Sequence, residues 1–225
     1  MKKHFYLLLF FFAITYVSQA QIKKGDILLG GTLSLYSQKA TPDNNYPTPP
    51  NKQTNYNISP SIGKAIKDNL LVGFDLAFTG SKNTQGTGTG SYTSKSCTYG
   101  AGVFLRKYKP LGGGFAIFMQ TRFGGSYNTQ KTQYEGDPYP YNNVKGYSFD
   151  LSFYPGIAYA ITKRVQLETG FANLVDVNYS HSKDSQTTGV NNNVLANSKS
   201  NSFGISTSLS NGYGFAVGIK VLLGS

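Results

Sequence analysis

The sequence predicts an all-β fold: an eight-stranded antiparallel up-and-down transmembrane β-barrel, with short turns at one end and long loops at the other. Three observations carry this expectation. Apolar residues recur at every second position through most of the chain, the period of a strand with two unlike faces. Beyond the N-terminus no run of about 18 consecutive apolar residues occurs, so no segment is suited to cross a bilayer as a helix. The alternating segments are joined by connections that are short and long by turns.

The N-terminus reads separately. Lys2 and Lys3 precede the apolar run Phe5 to Val17, and Ser18-Gln19-Ala20 places small residues at both ends of a triplet. This is the pattern of a signal peptide, and cleavage is expected after Ala20. Residues 1–20 are then an export leader and residues 21–225 one barrel domain. No cysteine lies near the cleavage site, so a lipid anchor is not expected. The one cysteine, Cys97, excludes an internal disulfide framework and reads as a small apolar strand residue. The formal charge of +11 becomes +9 once Lys2 and Lys3 leave. In an exported chain this basic balance points to anionic lipid, with no nucleic acid as partner. A mean hydropathy of -0.28 is compatible with a membrane barrel, in which only alternate residues need be apolar.

The strands follow in order. The first carries Ile27, Leu29, Leu33 and Leu35 on its apolar parity. The second carries Tyr56, Ile58, Ile62 and Ile66, interrupted at Pro60. The third runs Leu70, Val72, Phe74, Leu76, Phe78, and the fourth Tyr99, Ala101, Val103, Leu105. Phe115, Ile117, Met119 and Phe123 mark the fifth. The sixth has Tyr147, Phe149, Leu151, Phe153, Ile157 and Tyr159. Val165, Leu167, Phe171, Val175, Val177 and Tyr179 are read as one seventh strand. Phe203, Ile205, Leu209, Tyr213, Phe215, Val217, Ile219, Val221 and Leu223 are read as one eighth. Short turns are expected at Lys67-Asp68-Asn69, at Lys107 to Gly114 and at Thr162-Lys163-Arg164. Long loops are expected at roughly 38–53, 80–96, 127–145 and 180–200, all rich in Asn, Ser, Thr, Gly and Pro. An even strand number suits a closed ring without exposed edges.

The other parity is small, polar or charged. It includes Gly30, Thr32, Ser61, Gly63, Gly73, Gly102, Gln120, Ser152 and Gly218. It also holds Arg106, Arg122 and Lys220 against Asp75, Asp150, Glu168 and Asp176. Alternation alone does not say which face is inside. Glycine and serine suit a narrow interior, and a near-balanced charge set suits pairing across one. We therefore expect Asp75, Arg106, Arg122, Asp150, Glu168 and Lys220 to form an interior charge network. The competing reading of these residues is a narrow, charge-lined ion path. A soluble exported barrel, with the apolar face inward around an apolar ligand, is the alternative architecture.

Three stretches resemble a known family. Ile58 to Leu76 (ISPSIGKAIKDNLLVGFDL) is similar to a strand–turn–strand of small bacterial outer-membrane β-barrel domains. Tyr99 to Tyr127 is similar to their middle hairpin, and Phe149 to Phe171 to the next. The family is the porin-like, OmpA/OmpX-type outer-membrane β-barrel domain. The resemblance implies a location in the outer membrane and an eight-stranded barrel; the barrel-assembly machinery is an expected partner, and a monomer the expected state. Gly218, Val221 and Leu223 fit that family's last-strand pattern, whose terminal aromatic is absent here. It implies little about biochemical role, because such barrels host many functions.

Residues for chemistry are scarce. His181 is the one histidine left after leader removal, placed at the base of the last long loop near Ser180, Ser182 and Asp184. A lipid-modifying hydrolase would need it as a general base. In so serine-rich a segment those neighbours carry no information. One histidine and one cysteine cannot build a zinc site, and Asp43-Asn44-Asn45 and Asn191-Asn192-Asn193 lack the spacing of a calcium loop. Gly86 to Ser91 reads as a flexible loop, not a dinucleotide fingerprint. No cofactor and no catalysis are expected. Tyr36, Tyr56, Tyr99, Tyr127, Tyr147, Tyr159 and Tyr179 read as interface girdles. Lys23, Lys24, Lys64, Lys67, Lys107, Lys109, Lys163 and Arg164 crowd the short-turn rim against Asp26 and Asp68. Lys39, Lys52, Lys82, Lys95, Lys131, Lys145, Lys183 and Lys199 fall in the long loops, against Asp43, Glu135, Asp137 and Asp184. Outer-membrane lipids, lipopolysaccharide phosphates among them, are the expected partners. The expected role is structural, surface-interacting or porin-like, with a narrow passive pore as the alternative.

Overall fold

A computed structural model of the chain describes residues 22–41, 49–86, 90–135, 141–171, 174–187, 194–207 and 215–224. The described residues form ten strands: β1 Ile27–Ala40, β2 Asn51–Lys67, β3 Leu70–Gln85, β4 Tyr92–Gly112, β5 Phe115–Tyr134, β6 Tyr141–Ala160, β7 Val165–Phe171, β8 Val175–Thr187, β9 Val194–Ser206 and β10 Phe215–Leu223. All pair antiparallel. Eight of them close a ring, β1-β2-β3-β4-β5-β6-β7-β10 and back to β1.

The two remaining strands correct the eight-segment reading. The seventh segment is divided. Beside β6, Gly156 lies opposite Gly170, yet Phe153 lies opposite Val175. The register along β6 therefore changes between Gly156 and Phe153. Pro155 has no N–H to give the ladder, so the register breaks there and β8 takes over from β7. The eighth segment is also divided, into β9 beside β8 and β10 between β7 and β1. Leu209 and Tyr213 lie outside the described residues, as do Asp43-Asn44-Asn45 and Asn191-Asn192-Asn193.

A second correction concerns the long loops. Most of their residues are strand. β4 and β5 stay in register from Tyr92 opposite Tyr134 down to Pro110 opposite Ala116, with a one-residue shift before Gly112 meets Phe115, and β6 with β8 from Tyr141 opposite Thr187. Asn, Ser and Thr are turn formers by local hydrogen bonding. Here their side chains instead bond across the ladders. Thr84 and Thr93 hydroxyls lie 3.2 Å apart, Thr132 donates to Ser94 at 3.2 Å, and Ser180 lies 2.7 Å from Ser202. Cross-strand hydroxyl pairs of this kind stabilise a sheet.

The short turns fall where expected. Asn69 closes the β2–β3 turn at φ 60°, a conformation that Asn tolerates. Gly112, Gly113 and Gly114 all have positive φ between β4 and β5, so the turn sits at the end of the predicted stretch and Lys107 to Leu111 extend β4. Residues 161–164 link β6 to β7, with the Thr162 hydroxyl accepting from the Arg164 and Val165 amides.

The apolar parity faces outward and the polar parity inward. Leu33, Leu76, Val103, Met119, Phe123 and Ile219 are exposed on the outer surface. Inside, charged side chains meet across strands that are not neighbours in the ring, which only the inner face permits. This overturns the apolar-inward alternative. At the short-turn end the interior is filled by an apolar floor of Ile22, Leu28, Ala65, Leu71, Tyr108, Phe118, Ala158 and Leu222. Ile22 reaches this floor from the N-terminal segment, where its carbonyl accepts from the Asn69 amide at 2.9 Å. Large rings lie over glycines of the neighbouring strand: Phe104 over Gly73, and Phe118 over Gly156.

Closure is narrow. β1 and β10 share three residue pairs, Ile27 with Leu223 to Leu29 with Val221. Above them, among the described residues, β1 pairs only with β2 and β9 only with β8.

The floor yields a prediction. Leu71 is wholly buried in it, and Leu71→Ala should lower stability by about 2–5 kcal/mol through the cavity it leaves. Leu76→Ala, on the outer face, should cost less. Both are read from the temperature at which the folded form is lost in unheated-versus-heated SDS gels.

Candidate functional site in the ring interior

The inward parity of β3 to β7 builds two charged layers above the floor. In the lower layer the Arg106 guanidinium on β4 reaches Glu168 on β7. Nη1 donates to Oε1 at 2.7 Å and to Oε2 at 2.9 Å. The two residues are 3% and 2% exposed, so this is a buried pair. Further hydrogen bonds surround the pair, among them one from Arg106 Nη1 to the Tyr108 hydroxyl at 3.0 Å. Arg106 Nε donates to Gln120 Oε1 at 2.8 Å, and the Tyr108 hydroxyl donates to Glu168 Oε1 at 3.0 Å. The guanidinium lies 4.5 Å from the Phe118 ring centre, with Tyr108 at 5.8 Å and Phe104 at 6.0 Å. Aromatic faces carry negative charge density, so three rings form a bed for the cation.

The upper layer is centred on Arg122 of β5. Its Nε and Nη2 clasp Asp75 of β3, with Nη2 to Oδ1 at 2.8 Å and Nε to Oδ2 at 2.9 Å. Nη1 donates to Asp150 Oδ2 of β6 at 2.6 Å. The fork geometry of arginine suits this bridging of two carboxylates. Glycine makes room for it. A Cβ on Gly102 would stand 2.6 Å from Arg122 Nη2, and one on Gly124 2.2 Å from Nη1.

Of the expected network, Asp75, Arg106, Arg122, Asp150 and Glu168 are brought together in two groups. Lys220 on β10 lines the same interior space but makes no ion pair among the described residues. It lies against Gly30, where a Cβ would stand 2.4 Å from Nζ. Asp176 is inward on β8, opposite Ser152, and likewise has no ion-pair partner among the described residues. Polar cavities of about 410 and 430 Å³ adjoin these layers, and a third of about 440 Å³ lies above them, lined by Thr98, Ser126, Asn128, Ser148, Asn178 and Ser180. The rings Tyr108, Phe104 and Phe118 were not foreseen as partners of Arg106. Their inward parity with Arg106 was the available signal for Phe104, Tyr108 and Phe118 alike.

His181 lies in strand β8, not in a loop, which corrects its placement. Its ring is 5.1 Å from that of Tyr147, and Nδ1 is 2.6 Å from Asn201 Oδ1. Strand alternation turns Ser180, Ser182 and Asp184 to the opposite face. Among the described residues no group of three His, Cys, Asp or Glu side chains is placed to hold a metal ion.

The lower layer sets a test. Arg106→Met or Glu168→Gln alone leaves a buried partner unmatched and should cost about 3–5 kcal/mol. The double variant R106M/E168M should recover most of that loss, measured as the thermal midpoint of the folded form.

No family model matches the chain, and no curated protein matches it. Among solved structures it is similar to the outer membrane protein OprG from Pseudomonas aeruginosa, at 12% identity and TM-score 0.48, over 92% of this chain and 100% of that one. It is also similar to the ferric yersiniabactin uptake receptor FyuA from Yersinia pestis, at 14% identity and TM-score 0.38, over 71% of this chain and 25% of that one. Likenesses of this size carry no functional weight by themselves.

Proposed function

We propose that the chain is an outer-membrane β-barrel with a structural and surface-interacting role, without catalysis and without a conducting lumen. The observation that carries the location is the outward apolar band. It runs around the ring between two sets of aromatics, Phe115 and Tyr159 near the short turns, and Phe78, Tyr99, Tyr127, Tyr147 and Tyr179 above. From Phe115 to Tyr127 strand β5 climbs about 40 Å along its axis, or about 28 Å at a tilt near 45°, which matches a hydrocarbon core of about 30 Å. A water-soluble protein rarely leaves so large an apolar surface uncovered. The charged, hydrogen-bonded interior fits the same reading, because a ring of this size has an interior that side chains fill.

The floor favours a scaffold over a passive pore. Ions moving along the ring axis would have to pass Leu71, Phe104, Tyr108 and Phe118, all buried, and then the Arg106–Glu168 pair. The separation of His181 from Ser180, Ser182 and Asp184 supports the non-catalytic reading over a lipid hydrolase.

Two measurements test this. The protein should fractionate with the outer membrane and shift its apparent size on boiling in SDS; recovery in the soluble periplasm without a shift would sink the location. In planar bilayers the wild type should show no steady conductance. Steady, salt-dependent conductance would restore the pore.

A further inference from the structure

The lysines of the outer half obey one rule that composition does not reveal. Ladder register places Lys82, Lys95 and Lys131 side by side on β3, β4 and β5. A second row sets Lys145, Lys183 and Lys199 side by side on β6, β8 and β9. Lys39 stands opposite Lys52 on β1 and β2. All eight are exposed and share parity with the outward residues of their strands, such as Leu35, Tyr56, Phe78, Tyr99, Tyr127 and Tyr147. Random placement on alternating faces would turn about half of them inward. Asp184 is the acid of these described strand extensions, and it sits on the inner parity. The outward face of the extensions therefore carries lysine among mostly Ser, Thr, Asn and Gln, with no carboxylate among its described strand residues; Glu135, just past the end of β5, accepts a hydrogen bond from the Ser91 hydroxyl at 2.8 Å.

Such rows oppose the sheet's own stability. Like charges directly across a ladder repel, with Cβ atoms about 4.5–5.5 Å apart. A three-lysine row spans about 10 Å, two strand spacings, and presents its ammonium groups to the same side. The rows begin two to four residues beyond the aromatic belt, about 7–13 Å further along the strand, or about 5–9 Å along the membrane normal at a tilt near 45°. That is the depth of a bilayer head-group layer, not of bulk water.

We propose that these rows form an outward basic collar that binds the phosphate groups of the outer-leaflet glycolipid, lipopolysaccharide. The inference rests on the outer-membrane reading and names the ligand of that surface. A phosphate accepts several hydrogen bonds and cancels the repulsion within a row, while flanking hydroxyls and amides such as Thr93, Thr129 and Asn143 suit its sugars. The lysines at the short-turn rim face the opposite leaflet and take no part.

The experiment uses full-length protein extracted from the outer membrane in mild detergent, with heat-modifiable migration checked for every variant. The probes are lipid A carrying both phosphates and the same lipid with them removed. Wild type should bind the phosphorylated probe about tenfold more tightly, and K82Q/K95Q/K131Q and K145Q/K183Q/K199Q should each erase most of that preference. The corresponding Lys→Arg rows should keep it, and so should K64Q/K107Q/K109Q. A folded wild type without preference for phosphate, or row variants that retain it, would overturn the collar while the membrane location stands. Recovery of the wild type in the soluble fraction would remove both.

Discussion

The Arg106–Glu168 pair can exist only inside a closed ring, and most of the architecture follows from housing it. Its partners sit on β4 and β7, which are separated by β5 and β6. An open sheet could not bring them to 2.7 Å. A buried ion pair costs desolvation that its own attraction repays only when the remaining donors and acceptors are satisfied. Gln120 and Tyr108 do this through hydrogen bonds, and Phe118 lies face-on to the cation. The pair therefore fixes the inward parity of β4, β5 and β7 together. One residue of slippage in any of them would turn every polar side chain outward.

Filling the interior then becomes a matter of size. A ring this narrow cannot hold large side chains at every inward position. Phe104 and Phe118 are accommodated because the opposed residues are Gly73 and Gly156. Arg122 lies across Gly102 and Gly124 by the same logic. Glycine on the inward parity is thus the complement of each large group rather than a sign of flexibility. At the floor this interdigitation leaves an apolar stopper. Higher up, where hydroxyls and amides replace rings, polar cavities remain.

Much of this was legible from the residues alone. Period-2 alternation located the ring strands, and the three short turns lie where Asn69, the Gly112–Gly114 triplet and Thr162 place them. The inward charges were legible because parity is a local property. Three things were not. The break at Pro155 depends on which neighbour β6 meets, and no window of sequence shows that. Asn-, Ser- and Thr-rich segments read as loops because their turn preference is local, whereas the ladders that hold Thr84 against Thr93 are made by distant chain. The pairing of Arg106 with Glu168 in particular, out of several possible partners, follows from ring order and not from spacing.

The same parity that orders the interior also sorts charge along the ring axis. In the outer strand extensions the inward face is neutral apart from Asp184, while lysine stands outward. Interior salt bridges cannot explain that asymmetry, because the outward lysines share no face with Asp75, Asp150 or Glu168. Nor does solubility require it, since lysine on either face of a hydrated extension would serve. A constraint acting from outside the ring, at the height of the extensions and of negative sign, accounts for the segregation. Apolar band, aromatic belt and basic rows then follow one another in the order in which hydrocarbon, interface and phosphate succeed one another in a membrane leaflet.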